Sequence, residues 1–532
     1  MLLSYLSVSL NNMEDLYNID FENIYYFCKI LLKKIFQMNG INNRYFLILL
    51  TCIFVLSLSN VYSQIETRTN MNITYKVADY TVPEVLLSHY VQFASVTGVE
   101  KEAGEFLAHV CRELGLHVRV FTDEIDSYNF AASLYPLDSK KPNIIFLNHI
   151  DVVPAGDVHK WTHPPFSGII DNDEVWGRGA IDNKGMAVTQ LLSIANFINL
   201  AKDVDLPFNV TLLSVSNEET GGLLGASIIA ENHLNELNPV VVYGEGGTGV
   251  LGAIKSDPDF PVFGISVAQK RGLWFVIEAS NNLSGHGSMP RNQYPNKEVV
   301  MASKALLDAR PQIILIPPVR EMIRTLGKHE GGRRKFVLRN ISIFAPFFTK
   351  TLREDPLLAA MIANTMTLTN LYSTLGADNQ VSNQAKAVFD CRLLPQTDTD
   401  KFLKYVKKKI KNYDVSLRVI HETPRAPVSE TGYYYNAMEQ AILNVYGDVG
   451  VTPIMFLANN DNAYFRMNNI PAYGIMPVVL SRAHMETIHM VDERIPVPIL
   501  YKGIKAYTEM LRILLEVDED VDLSIKKLTF AK

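Results

Sequence analysis

Three short stretches set acids and an imidazole where a metal-dependent hydrolytic centre would need them: Asn148-His149-Ile150-Asp151, Gly177-Arg178-Gly179-Ala180-Ile181-Asp182 and Asn217-Glu218-Glu219-Thr220-Gly221-Gly222. A two-ion centre requires imidazole and carboxylate ligands, one carboxylate shared between the ions, a nucleophilic water and a free general base. His149 is a candidate ligand, and Asp151 a candidate partner for its other ring nitrogen. Asp182, in a Gly-rich turn, can bridge two ions. Of Glu218 and Glu219, one can bind metal while its neighbour handles a proton. Any one of these groups alone reads most simply as a surface residue; their recurrence at the ends of successive apolar runs favours a site.

The elements that must hold them follow from the apolar pattern. From about Pro83 to Leu114 the periodicity is helical. Strand-like runs follow at His117 to Phe121, Ile144 to Leu147, Val210 to Val215 and Val240 to Tyr243, with a helix at Met186 to Leu200. Continuous apolar strands alternating with helices predict an α/β fold with a mostly parallel, doubly covered sheet, in which functional groups gather at the strands' carboxyl ends. His149, Glu218, Glu219 and Glu245 each stand just past one such run. From about Gly264 the order becomes strand (Leu273 to Ala279), helix (Asn296 to Ala309), strand (Ala385 to Cys391), helix (Lys401 to Asn412), strand (Val415 to Ile420). This is the pattern of an inserted α+β domain. The first domain resumes at about Ala426, with a short strand near Thr452 to Leu457 and a closing helix at Pro498 to Leu515. The expected division is therefore a leader over 1–63, a catalytic domain in two parts, 64–263 and 426–532, and an inserted domain over 264–425.

With 532 residues, 48% of them hydrophobic, the chain can bury a large core. A net charge of -6 and no basic run longer than Lys407-Lys408-Lys409 argue against nucleic acid as a partner. The apolar run from Tyr45 to Leu58 is shorter than the roughly 20 residues of a spanning helix and suits a signal peptide, with Met38 as its natural start. A secreted protein is expected, or a membrane-anchored one if the leader is retained. Sequons at Asn72, Asn209, Asn282 and Asn340 suit that route, and Cys111 and Cys391 allow one disulfide.

Four segments carry a family resemblance: His149-Ile150-Asp151-Val152-Val153-Pro154, Pro164-Pro165-Phe166-Ser167-Gly168, Gly177-Arg178-Gly179-Ala180-Ile181-Asp182-Asn183-Lys184-Gly185 and Glu218-Glu219-Thr220-Gly221-Gly222. Together they resemble the dizinc peptidases related to carboxypeptidase S and aminoacylase-1, closest to the branch of secreted N-fatty-acyl-amino acid synthase/hydrolases. The resemblance covers about Pro83 to Leu515. It implies two Zn2+ per chain, with His149 and Glu245 on one ion, Glu219 and His489 on the other, and Asp182 between them. It makes Glu218 the general base, and His489, followed by Glu493, is preferred over His484. The inserted domain corresponds to a ferredoxin-like lid that forms a homodimer, in which His286 of Gly285-His286-Gly287-Ser288 reaches the partner's site and stabilises an oxyanion. Asn379 and Arg392 match lid residues that contact the substrate carbonyl and carboxylate. Two positions depart from the family pattern: Ser382 replaces a usual proline and Ala463 a usual arginine.

The expected activity is hydrolysis of the amide bond of N-acyl amino acids, reversible for fatty-acyl ones, or of short peptides. The apolar segment Ile341 to Phe348 is a candidate wall for an acyl tunnel. A reading of another class is a catalytically weak binding protein that kept the fold, which the intact ligand set and Glu218 argue against. Gly244-Glu245-Gly246-Gly247-Thr248-Gly249 satisfies the dinucleotide fingerprint, but an acid inside the loop and the Pro-rich stretch after it exclude a phosphate-binding helix.

Overall fold

The runs with no in–out alternation form the middle of one large sheet. Asn143–His149 lies between Asn209–Val215 and Pro239–Gly244, parallel to both, and every residue of the first two strands is buried. Burial on both faces removes the need for alternation. The structure, a computed structural model, describes residues 80–521 and 523 apart from 282–284, 290, 310–311, 345–355 and 375. The leader and Asn72 lie outside the described residues.

Ala472–Gly474 continues the parallel set beside Pro239–Gly244. Antiparallel strands flank it: Ser127–Ser133 and then His117–Glu124 on one side, Val262–Gln269 and Gly249–Val250 on the other. Ser127–Ser133 carries too many small polar residues to read as a strand, yet it is wholly buried because Asn129 Nδ2 is spent on Thr122, Ser127 and the Leu224 carbonyl. The helical pattern from Pro83 onward is two helices, Pro83–Val91 and Lys101–Leu114, parted by a turn in which Gly98 sits at φ +101. The layers meet in a core that includes Ile145, Leu213, Ile229, Val242 and Phe465.

A second sheet has four antiparallel strands in the order Thr365–Ser373, Gln384–Leu393, Arg271–Ser280, Ser416–Glu422. With the helices Pro295–Leu307 and Thr399–Ile410 this is a βαββαβ unit of ferredoxin-like topology. Its core joins Phe275, Ile277, Val299, Phe389 and Val406. Gln384–Leu393 alternates strictly, with Ala387, Phe389 and Cys391 inward and Lys386, Asp390 and Arg392 on the other face. Val262–Gln269, which the sequence reading divides at Gly264, runs whole in the large sheet, so the chain crosses to the second sheet at Lys270. Between that unit's first helix and second strand lies a helical insert with Pro317–His329, which is amphipathic, Gly332–Arg339 and Pro356–Ile362; no element was expected there from the sequence.

Two expectations are corrected. Cys111 and Cys391 are free and buried, one in a helix of the large domain and one in the second sheet. Asn209 is 1% exposed, with its Nδ2 donating to the Tyr135 carbonyl, so a glycan has no room there. Asn340 is half-buried, and Asn282 lies outside the described residues. Among the described residues no helix is long and apolar enough to cross a membrane.

Candidate active site

The sheet delivers its acids at one edge. His149 ends Asn143–His149, Glu218 and Glu219 form the turn after Asn209–Val215, and Glu245 follows Pro239–Gly244. Asp182 comes from the Gly-rich turn and His489 from the loop before Arg494–Pro496. His149 Nε2 lies 3.1 Å from Asp182 Oδ1 and 3.5 Å from Glu245 Oε2. His489 Nε2 lies 3.1 Å from Asp182 Oδ2 and 3.2 Å from Glu219 Oε1. The two Asp182 oxygens thus face two separate groups, His149–Asp182–Glu245 and Asp182–Glu219–His489, each with its ligand atoms within 4.8 Å of one another.

The donor set suits two divalent cations sharing a carboxylate. Imidazole nitrogen and carboxylate oxygen are ligands typical of Zn2+ and similar ions. Among the described residues, the ion pairs of Asp182, Glu219 and Glu245 are made with the two histidines alone. Packing several carboxylates together with so little positive charge is costly unless a cation is held among them. Asp182 and Glu219 hold His489 up to about 10, which measures the pull of this cluster on positive charge.

Main-chain donors fix the acids. The Glu493 carboxylate, fully buried, accepts from Arg178 Nη1 at 2.6 Å, from the Gly179 N–H at 3.0 Å, and from the Ile181 and Asp182 N–H groups at 2.9 and 3.0 Å. One side chain therefore sets the turn that carries Asp182. Asp151 does the same for the Glu218-Glu219 turn: its oxygens accept from the Glu218 and Glu219 N–H groups and from Thr97 Oγ1. The same carboxylate also stands beside the His149 ring. His149 Nδ1 lies 2.9 Å from the Asp151 main-chain carbonyl and 3.5 Å from its carboxylate. The carbonyl can only accept, so Nδ1 carries a proton, and Nε2 is the ring nitrogen turned toward Asp182 and Glu245.

Glu218 stands beside this cluster and belongs to neither ligand group. Burial, and next the negative charge of Glu245, raise its proton affinity well above that of a free carboxylate. A carboxylate that binds a proton more tightly is a better general base near neutrality.

The lid residues predicted from sequence lie apart. His286, on the short strand Gly285–His286, pairs its Nε2 with Asn379 Nδ2 at 3.0 Å and its Nδ1 with Ser288 Oγ at 2.7 Å. Both His286 and Asn379 are exposed and bond to each other, not to the acids. Arg392 is held by Asp390, Nε to Oδ1 at 2.9 Å and Nη2 to Oδ2 at 3.0 Å, so a substrate carboxylate must displace Asp390 to engage that fork. Ser382 fills the missing proline's place by accepting from the Thr374 and Gln384 N–H groups and donating to the Gln384 carbonyl. At Ala463 the side chain is buried; Arg466, one helical turn on, bonds the Ala472 and Ser266 carbonyls and Gln269.

Sequence reasoning missed several supporting residues. Asn183 Nδ2 donates to Glu245 Oε2 at 3.0 Å, and Asn460 and Asn462 both donate to the Glu245 carbonyl. The rival histidine, His484, is bound to Ser481 Oγ and Glu174 Oε1, and so braces the loop before His489. The Gly-rich decoy leads into the strand Gly249–Val250, not a helix, and a Cβ on Gly247 would meet the Gly264 carbonyl at 2.0 Å. Those glycines serve close strand packing.

Beside the acids opens a cavity of about 910 Å3, lined by Asp182, Glu245 and His489, by two cations, Lys255 and Arg334, and otherwise mainly by apolar side chains. This is at the upper end of the range for small-molecule sites.

Residues 145–513 match the family model described as peptidase family M20/M25/M40. A probable carboxypeptidase S-like 2 of Dictyostelium discoideum is 26% identical over 395 residues, covering 73% of this chain and 75% of that protein. An N-fatty-acyl-amino acid synthase/hydrolase of Mus musculus is 24% identical over 440 residues, covering 81% and 85%. Among solved structures, an M20 family metallo-carboxypeptidase from Sulfolobus solfataricus aligns with TM-score 0.61 at 20% identity, covering 82% of this chain and 99% of that one. Human carnosine dipeptidase 1 aligns with TM-score 0.57 at 16% identity, covering 83% and 98%.

Proposed function

The chain belongs to peptidase family M20/M25/M40, a family of amide-bond hydrolases, and from that premise we propose that it is a dizinc enzyme acting on N-fatty-acyl amino acids. The observation that carries the reading is the large, mainly apolar cavity meeting the acids at Asp182, Glu245 and His489. A dipeptide leaves such a surface bare, whereas an acyl chain removes it from water at about 0.8 kcal/mol per methylene. The name of the mouse relative points the same way.

His149, Asp182, Glu219, Glu245 and His489 would hold the two ions, which when bound supply Lewis acidity to the amide carbonyl and acidify a nucleophilic water. Glu218 takes the proton from that water and returns it to the leaving amine nitrogen. The Asp151 carboxylate keeps Glu218 aimed by holding its main-chain N–H. Asn183 orients the Glu245 carboxylate. Arg392, exchanging Asp390 for the substrate carboxylate, anchors the amino acid. His286, with Asn379 against its ring, completes the oxyanion site from a second copy of the chain in a lid-mediated homodimer. Secretion through the run from Tyr45 to Leu58 belongs to the same reading.

The test is turnover of a mixed panel of N-oleoyl amino acids, N-acetyl amino acids and dipeptides by the purified chain from Gln64 onward, read by mass spectrometry with metal analysis alongside. Two zincs per chain and selective loss of the N-oleoyl class is the expected result. Loss of the dipeptides alone would replace the acyl reading with a peptidase one.

A further inference from the structure

The cavity follows the chain away from the metal ligands. Glu245, Gly247, Val250, Ala253 and Lys255 all line it, so the segment leaving the site forms one of its sides. The helical insert forms another side, to which it also brings Arg334. Met322 and Leu326, one turn apart on Pro317–His329, and Leu358 and Met361, one turn apart on Pro356–Ile362, face the cavity. The segment from Ile341, expected to form this wall, contributes none of its described residues.

This wall is fixed at both ends. The Glu330 carboxylate accepts from the Lys255 and Ser256 N–H groups at 2.9 and 3.3 Å and pairs with Arg334 at 2.8 Å, tying the end of Pro317–His329 to the side of the cavity that Lys255 lines. At the domain crossing, Lys270 Nζ donates to the Ala360 and Ala363 carbonyls, both at 2.9 Å, holding Pro356–Ile362 in place. The Ile314 N–H donates to the Ile362 carbonyl at 2.6 Å, closing the insert on itself. A wall tied to the scaffold in this way meets a growing chain as a stop.

We propose that the helical insert, and not the catalytic scaffold, sets the acyl chain length this enzyme accepts, with Met322, Leu326, Leu358 and Met361 as the gauge. The inference rests on the acyl-amino-acid reading above. Within the cavity each added methylene raises kcat/KM by roughly fourfold, the equivalent of about 0.8 kcal/mol, until the chain meets these residues.

The experiment measures kcat/KM for N-acyl phenylalanines from acetyl to stearoyl in the wild type, Leu326→Trp and Met361→Ala, with melting temperature as a folding control. Leu326→Trp should move the optimum to shorter chains and lower the stearoyl-to-octanoyl ratio by at least about tenfold. Met361→Ala should move it to longer chains. Opposite shifts in two variants cannot come from misfolding, which lowers all chain lengths together. A wild type that favours long chains while both variants keep its profile, or lose all lengths equally, overturns the gauge and leaves the acyl reading standing. A wild type with no preference beyond acetyl overturns the acyl reading itself.

Discussion

One cavity has two unlike ends. At the polar end, position is enforced by main-chain donors: Asp151 and Glu493 each collect backbone N–H groups from the turn they stabilise. Away from it, helices of the insert turn Met322, Leu326, Leu358 and Met361 into the cavity, side chains chosen for size and hydrophobicity, beside Lys255 and Arg334. Chemistry that needs particular atoms at particular distances constrains residue identity and leaves motifs. Shape selection constrains volume, and many sequences satisfy it.

The sharpest way to break the comparison is at Asp182. If its two oxygens serve two ions, Asp182→Ala loses both together, and turnover falls below detection. Metal analysis of the purified variant checks this; retention of one full equivalent would show the two groups to be independent. Next in size is Glu218→Gln, which keeps the shape but cannot accept a proton. Turnover should fall by about 10^2 to 10^4 with metal content and substrate affinity kept. A Glu218→Gln enzyme with ordinary kcat would move the base elsewhere.

Glu493 tests whether the polar end is a structural unit as well as a catalytic one. Glu493→Ala strands the buried Arg178 guanidinium and several main-chain donors. The expected loss is about 3–5 kcal/mol of stability, read by chemical denaturation, together with weakened metal retention through Asp182. A variant that is stable but poor in metal would assign Glu493 to positioning alone.

The same contrast explains what could be read in advance. The parallel strands were legible because burial on both faces leaves them continuously apolar, and their carboxyl ends pointed to the acids. Glu493 was visible only as a neighbour of His489; that it caps the Asp182 turn requires the tertiary fold. That Asp151 also holds the Glu218-Glu219 turn was not legible, because the His-x-Asp spacing speaks only of the ring while those main-chain donors come from a distant segment. The strand Ser127–Ser133 was missed because its buried Tyr128, Phe130, Ala131 and Ala132 are interrupted by Ser127, Asn129 and Ser133, whose polar groups are met by hydrogen bonds in the interior. Of the candidate wall Ile341 to Phe348, only Ile341 to Phe344 are among the described residues, and those four do not line the cavity. An amphipathic helix such as Pro317–His329 supplies a smoother wall with fewer apolar residues, and composition alone hides it.

The smallest effect should come from the joint between the two ends, Lys270. Its Nζ is buried at the domain crossing and donates to two carbonyls of the insert. Burial, and next the positive charge of Arg392, lower its pKa to about 7, against about 10.5 for a free lysine. Between those values the unfolded chain binds the proton and the folded one does not, so this group's contribution to stability rises with pH from about 7 to about 10.5. Below pH 7 both states hold the proton, and the contribution is at its lowest. The stability difference between wild type and Lys270→Met should therefore grow in favour of wild type from pH 7 to pH 9, by at most about 1.4 kcal/mol per pH unit. A difference that is flat with pH would mean that the carbonyls facing Nζ keep the ammonium charged in the fold, and the clamp on the tunnel wall would then be an ionic one throughout.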